Sequence, residues 1–199
     1  MTERLIDAAI SAGIIILIVP VVGLLIDFIT EEVAKSMAKS IGVSVTIFIL
    51  DYLTFIGTVH HELSHALYAL ITGAKVTKVE IFKPTGNRLG CVEFSPRGNW
   101  VTKSLQLTLS AVAPTVQGFV SEVLLFKLIT WLQGPLWLKI VIGYVMASIF
   151  IHMTMSSADV KAAWKGLPFV ALLIFVICFA FGVDLLGIFQ GFFASTGAA

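Results

Sequence analysis

Charge is scarce in this chain. Lys, Arg, Asp and Glu together make up 13% of its 199 residues, against 58% hydrophobic, where soluble domains carry roughly 25% charged residues. So little charge excludes an ordinary water-soluble domain and points to an integral membrane protein. Cysteine is nearly absent: Cys91 and Cys178 stand far apart with no CxxC spacing, which excludes a disulfide framework and a thiolate metal site. No charged tail or low-complexity tract occurs, and the net charge is only +1. Nothing here would attract nucleic acid, so none is expected as a partner. The opening MTERLIDAAI lacks a small-residue A-x-A site and is expected to begin a retained first span rather than a cleaved leader.

What the chain does have is apolar length. A helix needs about 20 mainly apolar residues to cross the hydrocarbon of a bilayer. Runs of that kind lie at 5–29, with Pro20 inside, at 41–71, at 102–133, with Pro114 inside, at 137–159 and at 168–193. The expected fold is a membrane α-helical bundle of about five transmembrane helices, forming a single integral membrane domain over 1–199. TEEVAKSMAKS reads as a polar link after the first run, and Gln133-Gly134-Pro135 as a turn. The run 41–71 is long for one crossing, so a tilt, a break or an overhang is expected there. Trp131, Trp137 and Trp164 fall near expected helix ends, where aromatic belts form.

Between the second and third runs lies a different pattern. Lys75–Lys83 and Arg88–Phe94, rich in β-branched and aromatic residues, flank PTGN and read as a β-hairpin over 75–94. Lys and Arg gather on the side that five spans would give to the N-terminus and this hairpin: Arg4, Lys75, Lys78, Lys83, Arg88, Arg97, Lys103, Lys161 and Lys165, against Lys35, Lys39, Lys127 and Lys139 opposite. The positive-inside rule then places the N-terminus and the hairpin in the cytoplasm.

The second run also holds the one clear chemical motif, His61-Glu62-Leu63-Ser64-His65, an HExxH sequence. Residues i and i+4 share a helix face. Two imidazoles so spaced can grip one Zn²⁺ while the adjacent Glu62 serves as general base. At this chain's usage of His and Glu, an accidental HExxH arises in roughly 0.3% of such chains. Ionisable groups in membrane spans are costly and by default mark function; the alternative is a set of buried histidines bonded to neighbouring helices. His60, about 100° round the helix from His61, is expected to pack rather than ligate. A third protein ligand is required, and Asp51, Glu122, His152, Asp159 and Asp184 are the candidates. His65 lies eight residues before Gly73 and Asp159 seven before Gly166, so both sit at a similar depth, about 12 Å from a helix end. Asp51, Glu122 and Asp184 fall too far along their runs. Asp159 and His152, about 10 Å apart if on one helix, both remain. Ser156 or Ser157 can instead cap a short helix that starts beside Asp159.

With these residues the chain resembles the site-2 protease family of intramembrane zinc metalloproteases, from the second span through the fourth. The resemblance implies one Zn²⁺ per chain and a further ligand, an aspartate on a later membrane helix about 90 to 100 residues on. Asp159 falls 98 residues after His61, in the context MSSADVKAAWKG where the family has an LDG-type motif. The family's Gly-Pro-x-x-Asn corresponds to Ala113-Pro114-Thr115-Val116-Gln117. Gln117 is therefore expected either to hold substrate backbone or an oxyanion, or to hydrogen-bond across the bundle, with His152 as a supporting residue. The implied activity is hydrolysis of a peptide bond in another protein's transmembrane segment, within the lipid bilayer, with Glu62 moving the proton. Such a segment must unwind first, and an edge of the hairpin can receive it by strand addition. Two rival readings are a membrane zinc hydrolase of lipidated peptides or small amides, and a non-catalytic transporter or scaffold; no internal repeat of the kind many transporters show is seen. The oligomeric state is not encoded in any visible pattern.

Overall fold

The computed structural model describes residues 1–83 and 89–196. The PTGN turn and Arg88 lie outside the described residues. Helix α1 (Thr2–Ile41) runs unbroken for 40 residues, about 60 Å. This corrects the link expected at TEEVAKSMAKS. That segment contains neither Gly nor Pro, and Lys35 pairs with Glu31 and Glu32 at 3.0 and 2.9 Å one turn away, so nothing in it stops a helix. α1 ends at Gly42, whose φ of +88° suits glycine.

The over-long second run is broken. α2 (Val43–Ile47) continues as a π-helical turn, Phe48–Leu53, and then bends by 53° at Thr54 into α3 (Phe55–Ile71). The bend is pinned from α5 (Leu136–His152): Ser148 Oγ donates to the Thr54 carbonyl at 2.7 Å and accepts from Gly57 N–H at 2.8 Å. Strands β1 (Lys75–Glu80) and β2 (Cys91–Ser95) pair antiparallel, Val76 opposite Phe94 and Val79 opposite Val92. On this sheet Lys83 and Lys78 flank Glu80 and hold its carboxyl below the usual carboxylate range. α4 (Trp100–Trp131) is capped by Asn99, whose Oδ1 accepts from Thr102 N–H at 3.0 Å.

The fourth run does not stay helical to Asp159. α5 stops at His152, the chain runs non-helical to Ser156, and α6 (Ser157–Phe181) begins there. A capping box sets this start: Ser156 Oγ accepts from Asp159 N–H, and Asp159 Oδ2 accepts from Ser156 N–H at 3.0 Å. Asp159 thus lies in the first turn of the next helix. Residues 160–167, which lie between the expected fourth and fifth spans, are helical, and Gly166 lets α6 approach α4: a Cβ there would lie 2.2 Å from the Ser104 carbonyl. α6 ends at Gly182, and α7 (Leu185–Thr196) follows.

α1, α4 and α6 are long and apolar enough to cross a membrane, and the bent α2–α3 pair makes a fourth candidate. α5, with 17 residues, is shorter than the usual span. Buried contacts between helices are made by small residues, among them Ala8, Ser11, Ala12, Ser110, Ala111, Ala113 and Ser148, which let backbones approach where lipid supplies no hydrophobic drive. Large side chains such as Leu17, Phe28, Phe119, Leu124 and Phe181 face outward, as a lipid-facing surface requires.

Candidate active site

His61 and His65 stand one turn apart on α3 with ring centroids 4.8 Å apart. Each ring is aimed by a backbone carbonyl. His61 Nδ1–H donates to the His152 carbonyl at 2.6 Å. His152 ends α5, so its carbonyl has no partner within the helix. His65 Nδ1–H donates to the Ser110 carbonyl at 2.8 Å. That carbonyl is free for a reason written in the sequence. Its partner inside α4 would be the N–H four residues on, and that residue is Pro114, which has none. Ser110 Oγ returns a bond to the His65 carbonyl at 3.0 Å.

These bonds fix the tautomers. A carbonyl only accepts, so both Nδ1 atoms carry hydrogen, and in the neutral rings both Nε2 atoms present lone pairs. The two Nε2 atoms lie 3.1 Å apart. Asp159 Oδ1 lies 3.5 Å from His65 Nε2, its other oxygen being engaged by Ser156. The three ligand atoms fall within 4.8 Å of one another. Three acceptors converging with no donor among them is an unfavourable arrangement unless a cation sits between them. Imidazole nitrogens bound at about 2.0–2.1 Å in a tetrahedron stand about 3.3 Å apart, so the donor set and its spacing fit zinc.

The link from Met153 to Ser156 that carries Asp159 to this point is clamped on both sides. Thr115 Oγ1 donates to the Met153 carbonyl at 3.1 Å, and the Gly23 carbonyl of α1 accepts from Met155 N–H at 3.4 Å. A Cβ at Gly23 would lie 2.7 Å from Met155 Cγ. Glu62 is buried, 9% exposed, and the sheet comes down upon it: a Cβ on Gly90 would sit 2.6 Å from Glu62 Cγ. A cavity of about 690 Å³ joins these groups, walled by α3, the start of α6, β2 and parts of α1 and the π turn.

The remaining sequence candidates lie elsewhere or act differently. His152 lines the cavity and supports His61 through its carbonyl, while its own Nδ1–H donates to the Ser148 carbonyl at 2.9 Å. Gln117 is not brought to the cluster. It lies in a second groove with His60, whose Nε2 is 2.9 Å from Ser121 Oγ. Asp184 caps α7 by accepting from Gly187 N–H. Asp51, set aside on helix length, lines the cavity because the chain bends at Thr54, although it is not among the three converging ligands.

A family model described as Peptidase M50B-like matches residues 33–196. The chain belongs to this family. The match bears out the site-2 protease resemblance and assigns the M50B-like chain to the metalloproteases at family level. No curated protein and no solved structure matches it.

Sequence reasoning missed Ser110, although the signal was present: a proline four residues after it on a helix that packs against the HExxH helix. Substituting Pro114 by Ala in this M50B-like chain restores the N–H that competes for the Ser110 carbonyl. Loss of such supporting bonds typically costs 10–100-fold in metal affinity. Pro114→Ala is therefore expected to weaken zinc binding by about tenfold with helix content retained, measured by competition with a chelating dye.

Proposed function

We propose that the chain is an intramembrane zinc endopeptidase that hydrolyses a peptide bond in the transmembrane segment of another membrane protein. The observation that carries this reading is the pair of Nε2 lone pairs 3.1 Å apart facing Asp159 Oδ1, beside a buried Glu62 and within apolar helices.

His61, His65 and Asp159 hold one zinc in this reading. A zinc bound there would supply Lewis acidity, making a water acidic near neutral pH. Glu62 accepts the proton of the attacking water and delivers it to the leaving amine. The carbonyls of His152 and Ser110 keep both imidazoles in the tautomer that leaves Nε2 available. The capping box keeps one Asp159 oxygen on Ser156 and the other on the site. Gly90 and β2 cover Glu62 and shield the proton transfer from bulk water. The whole chain acts as one integral membrane domain. By the Lys and Arg bias its N-terminus and hairpin face the cytoplasm.

Two measurements on detergent-purified protein test this reading. Wild type is expected to hold one zinc per chain after loading and dialysis. His65→Ala and Asp159→Ala should hold almost none, and His152→Ala should keep it, because His152 contributes through its backbone. A single-pass membrane protein offered as substrate should be cut by wild type alone among the ligand variants. A wild-type protein that emerges metal-free from zinc loading would sink the proposal, as would cleavage that persists in His65→Ala.

A further inference from the structure

The cavity holds more acid than the proposed chemistry uses. Four carboxylates line it, Asp27, Asp51, Glu62 and Asp159, and no Lys or Arg is among the described residues that do. Two of the four serve the proposed metal chemistry, and the zinc offsets two negative charges. Asp27, on α1, and Asp51, on the π turn, are left over. Neither makes a hydrogen bond or ion pair with any described residue. Among the described residues, the only basic side chains on the cavity wall are imidazoles: His61 and His65 face each other, and His152, within electrostatic reach of Asp51, gives its Nδ1–H to Ser148.

A second, independent feature lies one turn before the metal pair. Thr58 lines the same cavity, is 4% exposed, and its Oγ1 has no hydrogen-bond partner among the described residues. A threonine inside a helix ordinarily satisfies its hydroxyl on the carbonyl four residues back. Here that is the Thr54 carbonyl, already taken by Ser148 Oγ and Gly57 N–H. The break that bends α3 therefore leaves a buried hydroxyl in need of a partner on the same cavity as the two spare carboxylates. π-helical turns recur at functional sites for such reasons, since they re-aim side chains.

We infer that this wall is a recognition subsite for a Lys or Arg residue of the substrate close to the scissile bond, with Asp51 and Asp27 receiving the cationic side chain and the Thr58 hydroxyl a backbone group of the unwound segment. The inference rests on the proposed protease reading. A second metal ion is not the occupant the geometry favours: among the described residues only His61, His65 and Asp159 converge closely enough to hold one. A long flexible cation can satisfy carboxylates that do not converge. The rest of the lining suits the neighbours of such a residue. Leu89, Val92 and Phe94 give an apolar wall on the hairpin side, so the preferred segment is apolar with one basic residue. Lys and Arg are concentrated at the cytoplasmic flank of transmembrane segments, and a cation there gains by leaving lipid for an acidic cavity.

The test uses full-length, zinc-loaded Glu62→Gln protein in detergent, so that binding is read without turnover. Fluorescent apolar peptides are identical except for one residue, Lys, Met or Glu, walked through the central positions. At one position the Lys peptide is expected to bind about tenfold tighter than its Met counterpart, with Glu weaker than both. Asp51→Asn, added to this protein, should bring the Lys-to-Met ratio towards one. Asp27→Asn is the second variant, should Asp51→Asn not fold, and should reduce the same ratio. Thr58→Val should weaken Lys and Met peptides by the same factor. A ratio near one at every position, or a ratio untouched by both Asn variants, overturns the inference. Parallel cleavage assays with Glu62 intact separate the two proposals. Cleavage without a Lys preference leaves the protease standing and removes the subsite; a Lys preference in binding with no cleavage of any substrate does the reverse.

Discussion

Glu62→Gln is expected to lower peptide-bond hydrolysis by about 10³-fold or more while leaving one zinc per chain. The amide is isosteric and keeps the buried volume under Gly90 filled, so the packing at that point survives. What it removes is the proton acceptor, and positioned acid–base groups contribute roughly 10²–10⁴-fold. Glu62 is placed to act twice, on the attacking water and on the leaving amine, which puts the loss toward the upper end of that range. The measurement is single-turnover cleavage of a single-pass substrate, with metal content determined on the same preparation. Wild-type rates in the amide variant would remove Glu62 from the mechanism. Loss of metal together with activity would show instead that the side chain supports the ligands.

Gly57→Ala is expected to be the most damaging single-methyl change in the bundle. Its Cβ would fall 2.0 Å from the Ser148 carbonyl oxygen and 2.5 Å from His152 Nδ1. The first obstacle is backbone and cannot swing aside, so α3 and α5 must separate. Overpacking of this kind costs about 3 kcal/mol. It also breaks the Gly57 N–H bond to Ser148 and draws the His152 carbonyl away from His61. Thermal unfolding in detergent should show a large drop in midpoint, and zinc affinity should fall with it. Gly13→Ala is the control, because a Cβ there meets nothing within 4 Å. Equal midpoints for the two variants would contradict the described α3–α5 contact.

The sequence made the apolar helices and the HExxH pair readable because both follow from periodicity and composition alone. The proximity of Asp159 to His65 was legible by depth, but for a mistaken reason. Asp159 does not end the fourth run, as the matching depths require, but opens α6. Ser156 and Asp159 carried the capping-box signal all along, and it was weighed as the alternative. The 40-residue α1 was hidden because a polar stretch between apolar ones looks like a link, although each of its residues is compatible with a helix. The bend at Thr54 was invisible for a different reason. It depends on Ser148 reaching a backbone carbonyl across the bundle, and no local pattern encodes a tertiary hydrogen bond. The place of Asp51 and Thr58 on the cavity wall was unseen for the same cause, although Asp51 is, as expected, not among the three converging ligands. Gln117 was selected by likeness to a motif, and its place on the helix turned it toward His60 instead.

The missing rung of α4 at Ser110 makes the histidine and the proline thermodynamic partners. A proline inside a helix costs about 3 kcal/mol, and here part of that cost returns as the bond from His65. Take the imidazole away and the proline keeps its penalty with no recompense. Take the proline away and the imidazole must compete with an amide for the same oxygen. The two substitutions are therefore epistatic in stability: the harm of the second depends on whether the first has already been made.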